Sequence, residues 1–237
     1  MQRYFAKEKQ ENTFLLNDND LYHIRTVMRM EDHEKIEVVY KEKLYICILK
    51  NVKHNIIIEI VEEIKTIQNK TPEIILVLPI LKEQKMDFVL QKATELGVSK
   101  IIPITTSRTL VKLDKEKEQK RILRWMKICK EASEQSKRTD IPKIENLQNF
   151  TDLQKLDGLK ILCSTVEKEK TLKNLLQTSP LCDRMIIVVG PEGGLSLNEE
   201  EYLRKIGFIG VSLGNRILRV ETVPLYILSI MQYVFME

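Results

Sequence analysis

Met185-Ile186-Ile187-Val188-Val189-Gly190-Pro191-Glu192-Gly193-Gly194-Leu195-Ser196 is the stretch on which the fold turns. Five apolar residues run straight into a glycine–proline turn, the pattern of a strand buried on both faces. Gly190, Gly193 and Gly194 are three of only eight glycines in the chain, so the turn after this strand is where backbone freedom is concentrated. Glycine allows positive φ and lacks the Cβ that keeps a ligand at a distance. Ser196, three residues before Glu199, has the spacing of a capping box. A helix is therefore expected through Tyr202 to Ile206, stopped by Gly207. Strand, glycine loop and helix N-terminus together form the usual ligand position of an open α/β sheet. From the glycines alone, a tight βα turn with no ligand reads equally well.

The same grammar extends outward in both directions. Strands are expected at Ile74–Leu78, Lys100–Ile104, Leu159–Ser164, Met185–Val189 and Phe208–Leu213. Helices are expected at Glu83–Leu96, Lys115–Arg138, Lys170–Gln177 and Thr222–Phe235. In the first, Met86, Val89, Leu90, Ala93 and Leu96 share one face, with Gly97 as C-cap; in the second, Ile122, Trp125, Met126, Cys129 and Ala132 do. Alternation of strand and helix from residue 72 to 237 predicts an α/β domain on a mostly parallel sheet. A second long loop runs from Leu213 through Gly214, Asn215, Arg216, Ile217, Leu218, Arg219, Val220 and Glu221 to Thr222, the expected N-cap of the last helix. A third, Ser164-Thr165-Val166-Glu167, follows another strand. Loops at the carboxyl ends of neighbouring parallel strands converge on one small molecule.

Residues 1–70 read differently. Arg3–Phe5, Lys35–Tyr40, Leu44–Leu49 and Ile56–Val61 are short β-type runs, and Asp18–Met30 carries Leu21, Ile24, Val27 and Met28 at helical spacing. This predicts a small barrel, a shape often used to hold RNA. The polar stretch Ile64–Thr71 before Pro72 is the expected linker. His23 reads as a packing histidine rather than a catalyst.

Composition narrows the class. Hydrophobic residues at 43% and charged residues at 30% are those of an ordinary globular chain. Cys47, Cys129, Cys163 and Cys182 form no C-x-x-C pair, which argues for a reducing compartment and against a structural zinc site. The N-terminus has no apolar signal region, and Pro224–Met236 is too short to span a bilayer, so a cytoplasmic protein is expected. Residues 107–143 hold 12 basic and 6 acidic side chains, whereas residues 1–71 balance at 12 and 12. The basic segment suits a polyanion or, equally, a solvated helix face. No G-x-G-x-x-G, P-loop or G-x-S-x-G is present, and all three histidines precede residue 55, so no metal cluster is expected in the α/β part. Chemistry built on glycine loops, arginines and a few carboxylates favours an organic group that brings the reactive atom.

Four motifs then fall in one order: Gln91-Lys92-Ala93-Thr94-Glu95-Leu96-Gly97-Val98; Glu131-Ala132-Ser133-Glu134-Gln135-Ser136 with Arg138; Gly190-Pro191-Glu192-Gly193-Gly194; and Leu213-Gly214 through Ile217-Leu218-Arg219-Val220-Glu221-Thr222. Together they resemble the ribosomal RNA small subunit methyltransferase E family of SPOUT enzymes, over essentially the whole chain. The resemblance implies methylation of N3 of a uridine in 16S rRNA of the small ribosomal subunit. It implies a SPOUT-type parallel sheet with a C-terminal trefoil knot, preceded by a PUA-like β-barrel. It implies S-adenosylmethionine as cofactor and a homodimer in which each site is completed by the partner. By position, Leu162, Ser164, Thr165, Gly190, Pro191, Glu192, Gly193, Gly194, Leu213, Gly214, Asn215, Ile217 and Leu218 would hold the cofactor. Arg219, or Arg138 from a second copy, would stabilise negative charge developing on the base, and Arg3, Arg25, Arg29 and Arg138 would meet RNA. Glu221 is the nearest candidate base, though an ion pair with Arg219 is its favoured role. Val220 and Val223 replace the family's Thr and Ala, Asp32-His33 replaces a Gly-Asp turn, and Lys41-Glu42-Lys43 replaces a glycine-rich hairpin. The alternatives are a sister SPOUT enzyme acting on tRNA or a ribose 2′-hydroxyl, and a non-catalytic RNA-binding assembly factor.

Overall fold

The computed structural model describes residues 1–65, 71–109, 115–179 and 182–235. Outside that set lie most of the expected linker, residues 110–114 near the start of the basic segment and the end of the last apolar run. The chain divides into two compact units, Met1–Asn69 with Lys130–Ile141, and Lys70–Cys129 with Pro142–Glu237.

The first unit holds β1 (Arg3–Phe5), β2 (Glu8–Gln10), β3 (Thr13–Leu15), β4 (Lys35–Tyr40), β5 (Lys43–Lys50) and β6 (Ile57–Ile64) in the order β1-β4-β5-β6-β3-β2. The two edge strands are consecutive in sequence, separated only by Ala6 and Lys7. Ala6 N–H bonds to Val39 C=O and Lys7 N–H to Leu15 C=O, each at 2.8 Å. Six strands laid flat span about 24 Å, and two residues cannot bridge that distance, so the sheet curls until its edges approach. Its alternating inward residues, among them Ile36, Val38, Cys47, Leu49 and Ile58, form one core with Tyr4 and Ile24. The β4–β5 hairpin turns through Lys41 and Glu42, both at positive φ (49° and 63°), a geometry usually given to glycine or asparagine. Strands β2 and β3 were not expected from sequence, because Glu8–Gln10 has no apolar alternation and is fully exposed.

The expected helix over Asp18–Met30 is instead α1 (Asp18–Tyr22) followed by a π-turn, His23–Val27, in which Met28 N–H reaches back five residues to His23 C=O at 2.9 Å. The wider turn breaks the 3.6-residue stripe. Ile24 stays buried, but Val27 and Met28 face solvent. His23 packs edge-on against Tyr4, its Nδ1 2.9 Å from the tyrosine hydroxyl, which is a packing role.

In residues 130–141, Lys130 lies between Asp20 and Glu134, at 2.5 and 3.0 Å. All three side chains are largely buried. Burial pushes the Glu134 carboxyl up, against the opposing pull of the Lys130 ammonium. Lys130→Met should destabilise the protein by about 3 kcal/mol, because it leaves two buried carboxylates without a counter-charge. Thermal melts at neutral pH check this, and the deficit should shrink as the Glu134 carboxyl, raised by burial, protonates in acid.

The second unit carries β7 (Glu73–Pro79), α2 (Glu83–Glu95), β8 (Lys100–Ile104), α3 (Lys115–Gln135, entering the first unit at Lys130), β9 (Lys143–Ile144), β10 (Leu159–Cys163), α4 (Leu172–Thr178), β11 (Arg184–Val188), α5 (Leu197–Lys205), β12 (Ile209–Val211) and α6 (Thr222–Phe235). Every pairing in the order β12-β10-β11-β7-β8-β9 is parallel. Ile75, Val77, Leu162, Ile186 and Val188 pack with Leu203 and Phe208 on one side of the sheet. Met86, Val89, Leu90 and Ala93 of α2 are buried as their spacing predicts, and so are Ile122, Trp125, Cys129 and Ala132 of α3; Met126 is exposed. β9 and a 3₁₀ turn at Phe150–Lys155 have too short an apolar pattern to be read in sequence. Ile64, expected to open the linker, closes β6. Thr222 is the first residue of α6 rather than its cap; its N–H and that of Val223 bond to Arg219 C=O at 2.8 and 3.1 Å.

Gly97 ends α2 at φ +85°, and a Cβ there would collide with the Gln232 amide, which donates to Leu96 C=O at 3.1 Å. Gly97→Ala should cost about 2 kcal/mol through backbone strain and the broken contact between α2 and α6, measurable by chemical denaturation.

Candidate functional site

Strands β12, β10 and β11 are neighbours, and the loops leaving their carboxyl ends meet. They line a cleft of about 470 Å³, bounded by Gly190–Leu195 after β11, Cys163 and Thr165 at the end of β10, and Ile217–Val220 before α6. A smaller hollow of about 70 Å³ adjoins it, lined by Cys163–Thr165, Glu167, Lys168, Ser212–Leu218 and Val223. The two share Cys163, Thr165, Ile217, Leu218 and Val223. The combined space is within the range that encloses a nucleoside-sized ligand.

Each wall is fixed by bonds its own sequence provides. Ser196 caps α5: its Oγ accepts from Glu199 N–H at 3.3 Å, and Glu199 Oε2 accepts from Ser196 N–H at 2.7 Å. Glu199 also accepts from Ser107 N–H at 2.7 Å. Burial works to raise the Glu199 carboxyl, but these N–H donors hold it below the ordinary carboxylate range. Arg108, in the loop after β8, donates to Gly193 C=O at 2.6 Å. The glycine loop is thus fastened from outside while its inner face stays bare. Gly194 sits at φ +68° with only Thr165 Oγ1 near its missing Cβ, and Gly214 at φ +121° with nothing within 4 Å. Both positions have a backbone conformation that disfavours most side chains and leave backbone facing open space.

After β10, Ser164 Oγ donates to Glu200, 2.9 Å from Oε2, and both side chains are buried. Glu167 accepts from the N–H groups of Lys168, Glu169 and Lys170 at 3.1, 3.1 and 3.3 Å. Those donors, Lys170 foremost, hold its carboxyl below the usual range and set the curve of the loop. Burial pushes the Cys163 thiol up to about 12, so the sulfur in the shared wall is protonated and unreactive at neutral pH.

Ser164, Thr165, Gly190–Gly194, Leu213, Gly214, Asn215, Ile217 and Leu218 all line one or both hollows. Leu162 does not; its side chain is fully buried in the sheet core. Arg219 lines the larger cleft and is exposed, and its side chain makes no hydrogen bond or ion pair among the described residues. Glu221, whose favoured partner was Arg219, pairs instead with Lys85 at 3.1 Å, an ion-pair distance without hydrogen-bond alignment. Its own backbone N–H, then Lys85, then the nearby Arg219 hold its carboxyl below the ordinary range. Lys85 also reaches Glu192 at 3.3 Å. Sequence reading missed Lys85, Glu200 and Arg108. For Lys85 a signal existed, since a cation in the first turn of α2 opposes the helix dipole.

The RNA methyltransferase domain model matches residues 68–232 of the chain. The ribosomal RNA small subunit methyltransferase E of Mesomycoplasma hyopneumoniae is 36% identical, covering 97% of this chain and 98% of that one. The chain belongs to the ribosomal RNA small subunit methyltransferase E family. A crystal structure of a family member from Neisseria gonorrhoeae, bound to S-adenosyl methionine, superposes with a TM-score of 0.88 at 31% identity over 99% of this chain and 98% of that one. A methyltransferase from Legionella pneumophila, in complex with the same cofactor, gives 0.87 at 30% identity over 99% and 98%.

For this member of the methyltransferase E family, the arginines expected to meet RNA fare unequally. Arg3 is buried: it pairs with Glu37 at 2.9 Å and donates to the carbonyls of Lys137 and Arg138, so it serves the N-terminal unit and is withdrawn from phosphates. Arg25 donates to Val52 and His54 C=O at 3.0 and 2.9 Å yet stays exposed, as does Arg29. Arg138 grips Asp140 through two nitrogens, lies in the first unit and lines neither hollow. Among the described residues no helix is long and apolar enough to cross a membrane, and no cluster of His, Cys, Asp and Glu is fit to hold a metal.

Proposed function

We propose that this chain methylates N3 of a uridine in 16S rRNA, with S-adenosylmethionine held in the cleft between the three loops. The observation that carries the reading is the convergence of Gly190–Gly194, Ser164–Thr165 and Leu213–Leu218 on one side-chain-poor cavity. Backbone N–H and C=O groups there read an adenine edge at close range, and Ile217 and Leu218 supply apolar walls. S-adenosylmethionine supplies an electrophilic methyl on a sulfonium. The nitrogen that attacks it must first lose its proton, which moves negative charge onto the uracil oxygens. Arg219, whose side chain is unpaired among the described residues, is the donor at the cleft wall that meets that charge. Glu221 is held as a carboxylate beside Lys85 and is a poor base; positioning carries much of the rate.

The reading extends to the rest of the chain. The curled N-terminal sheet is a PUA-like barrel spanning residues 1–70, with Arg25 and Arg29 as its phosphate contacts. Residues 72–237 are a SPOUT domain with a trefoil knot. In support, β12 is flanked on one side by β10, and the segment after β12 bonds to the one after β10, Ser212 N–H reaching Lys170 C=O at 2.7 Å. The active form is a homodimer in the cytoplasm, where Arg138 of one copy serves the other's site. RNA affinity should fall steeply between low and moderate salt, as counterion release from phosphates requires, in filter-binding titrations. The deciding experiment is mass-spectrometric mapping of small-subunit rRNA from cells with and without the gene. Loss of one N3-methyluridine is expected; an unchanged modification map overturns the reading.

A further inference from the structure

Lys85 stands where a helix least favours a cation, in the first turn of α2, yet it lines the larger cleft. Its ammonium lies 3.1 Å from Glu221, on the loop before α6, and 3.3 Å from Glu192, on the loop after β11. Arg219, two residues from Glu221, is a second cation whose charge acts on that carboxyl. Arg219 makes no ion pair among the described residues and is the cation exposed on the cleft wall.

We infer that Lys85 is a positioning residue for methyl transfer: by neutralising Glu221 it keeps the Arg219 guanidinium free to face the base. Without Lys85, Glu221 is an uncompensated carboxylate beside Arg219, and the shortest route to neutrality is an Arg219–Glu221 pair. That pair turns the guanidinium away from the cleft and offsets its positive charge. The same loss leaves Glu192 and Glu221 as neighbouring like charges without the ammonium they share. The inference rests on the methyltransferase reading above, and it makes a demand that reading does not. Removing the Glu221 charge should repair the loss of Lys85, because nothing then competes for Arg219.

The test is single-turnover methylation of small-subunit rRNA by the full-length wild type and the variants Lys85→Met, Lys85→Arg and Lys85→Met/Glu221→Gln, with S-adenosylmethionine affinity measured alongside by calorimetry. Lys85→Met is expected to slow transfer about tenfold while the cofactor Kd moves less than about threefold. Lys85→Arg keeps most of the rate, and the double variant returns to within about threefold of wild type. A Lys85→Met enzyme at the wild-type rate overturns the inference. So does a double variant no faster than Lys85→Met, and one slower than Lys85→Met would return Glu221 to the role of base. A loss of rate explained wholly by weaker cofactor binding makes Lys85 part of the cofactor site and also overturns it. A wild-type chain that transfers no methyl fails the functional reading itself, and is told apart because every other outcome is a ratio to an active wild type.

Discussion

Arg219→Ala should lower the single-turnover methylation rate by about 10²–10³-fold while cofactor affinity stays within a few-fold of wild type. The side chain is exposed on the cleft wall and bound to nothing among the described residues, so its removal leaves no buried partner orphaned and little stability is lost. What disappears is the one unpaired guanidinium among the lining residues of the larger cleft, the group that offsets charge on the uracil oxygens. Arg219→Lys should recover only part of the rate, since an ammonium lacks the planar fork that spans two acceptors. An Arg219→Ala enzyme at full speed would mean that charge is met elsewhere, with Arg138 of a second copy the next candidate.

The second large effect falls on binding rather than on rate. Gly194→Val should weaken S-adenosylmethionine binding by about 100-fold or more. Its φ of +68° is one that a β-branched residue does not adopt without strain. Space is not the issue, because the nearest atom to a Cβ there is Thr165 Oγ1 at 3.9 Å. The loop would have to change course, and with it the carbonyls of Gly193 and Leu195 that Arg108 holds. Gly194→Asn, which tolerates the left-handed region, should lose far less. Calorimetry with both variants separates conformation from bulk: equal losses would assign the glycine to clearance rather than to backbone geometry.

Much of the α/β part was legible because its signals are local. The run Met185–Val189 is apolar without interruption, as a doubly covered parallel strand must be, and the structure buries every residue of it. Ser196 and Glu199 announced α5 through a reciprocal cap that the structure contains. Gly97 and Gly207 ended their helices at φ +85° and +96°. Where a pattern depended on regular geometry, it failed when geometry departed from the regular. Val27 and Met28 left the core because a π-turn, invisible in residue spacing, widens the helix where it ends at Val27. Glu8–Gln10 pairs by backbone alone and offers no alternation to read.

The site divides the same way. Glycine loops could be read because they need a rare residue at a fixed place. The partners of the charged groups could not, because sequence proximity favoured Glu221 with Arg219 while the fold delivered Lys85 from a helix more than a hundred residues earlier. Arg3 shows the converse error. A terminal arginine suggests a phosphate contact, and the fold instead closes it against Glu37 and two carbonyls.

The account stands or falls on where the methyl donor lies. A crystal structure of the full chain grown with S-adenosylmethionine should show the adenosine between Gly190–Gly194 and Leu213–Leu218, with its methyl facing Arg219. Cofactor bound elsewhere on the molecule, or crystals grown at saturating cofactor with this cleft empty, would contradict it.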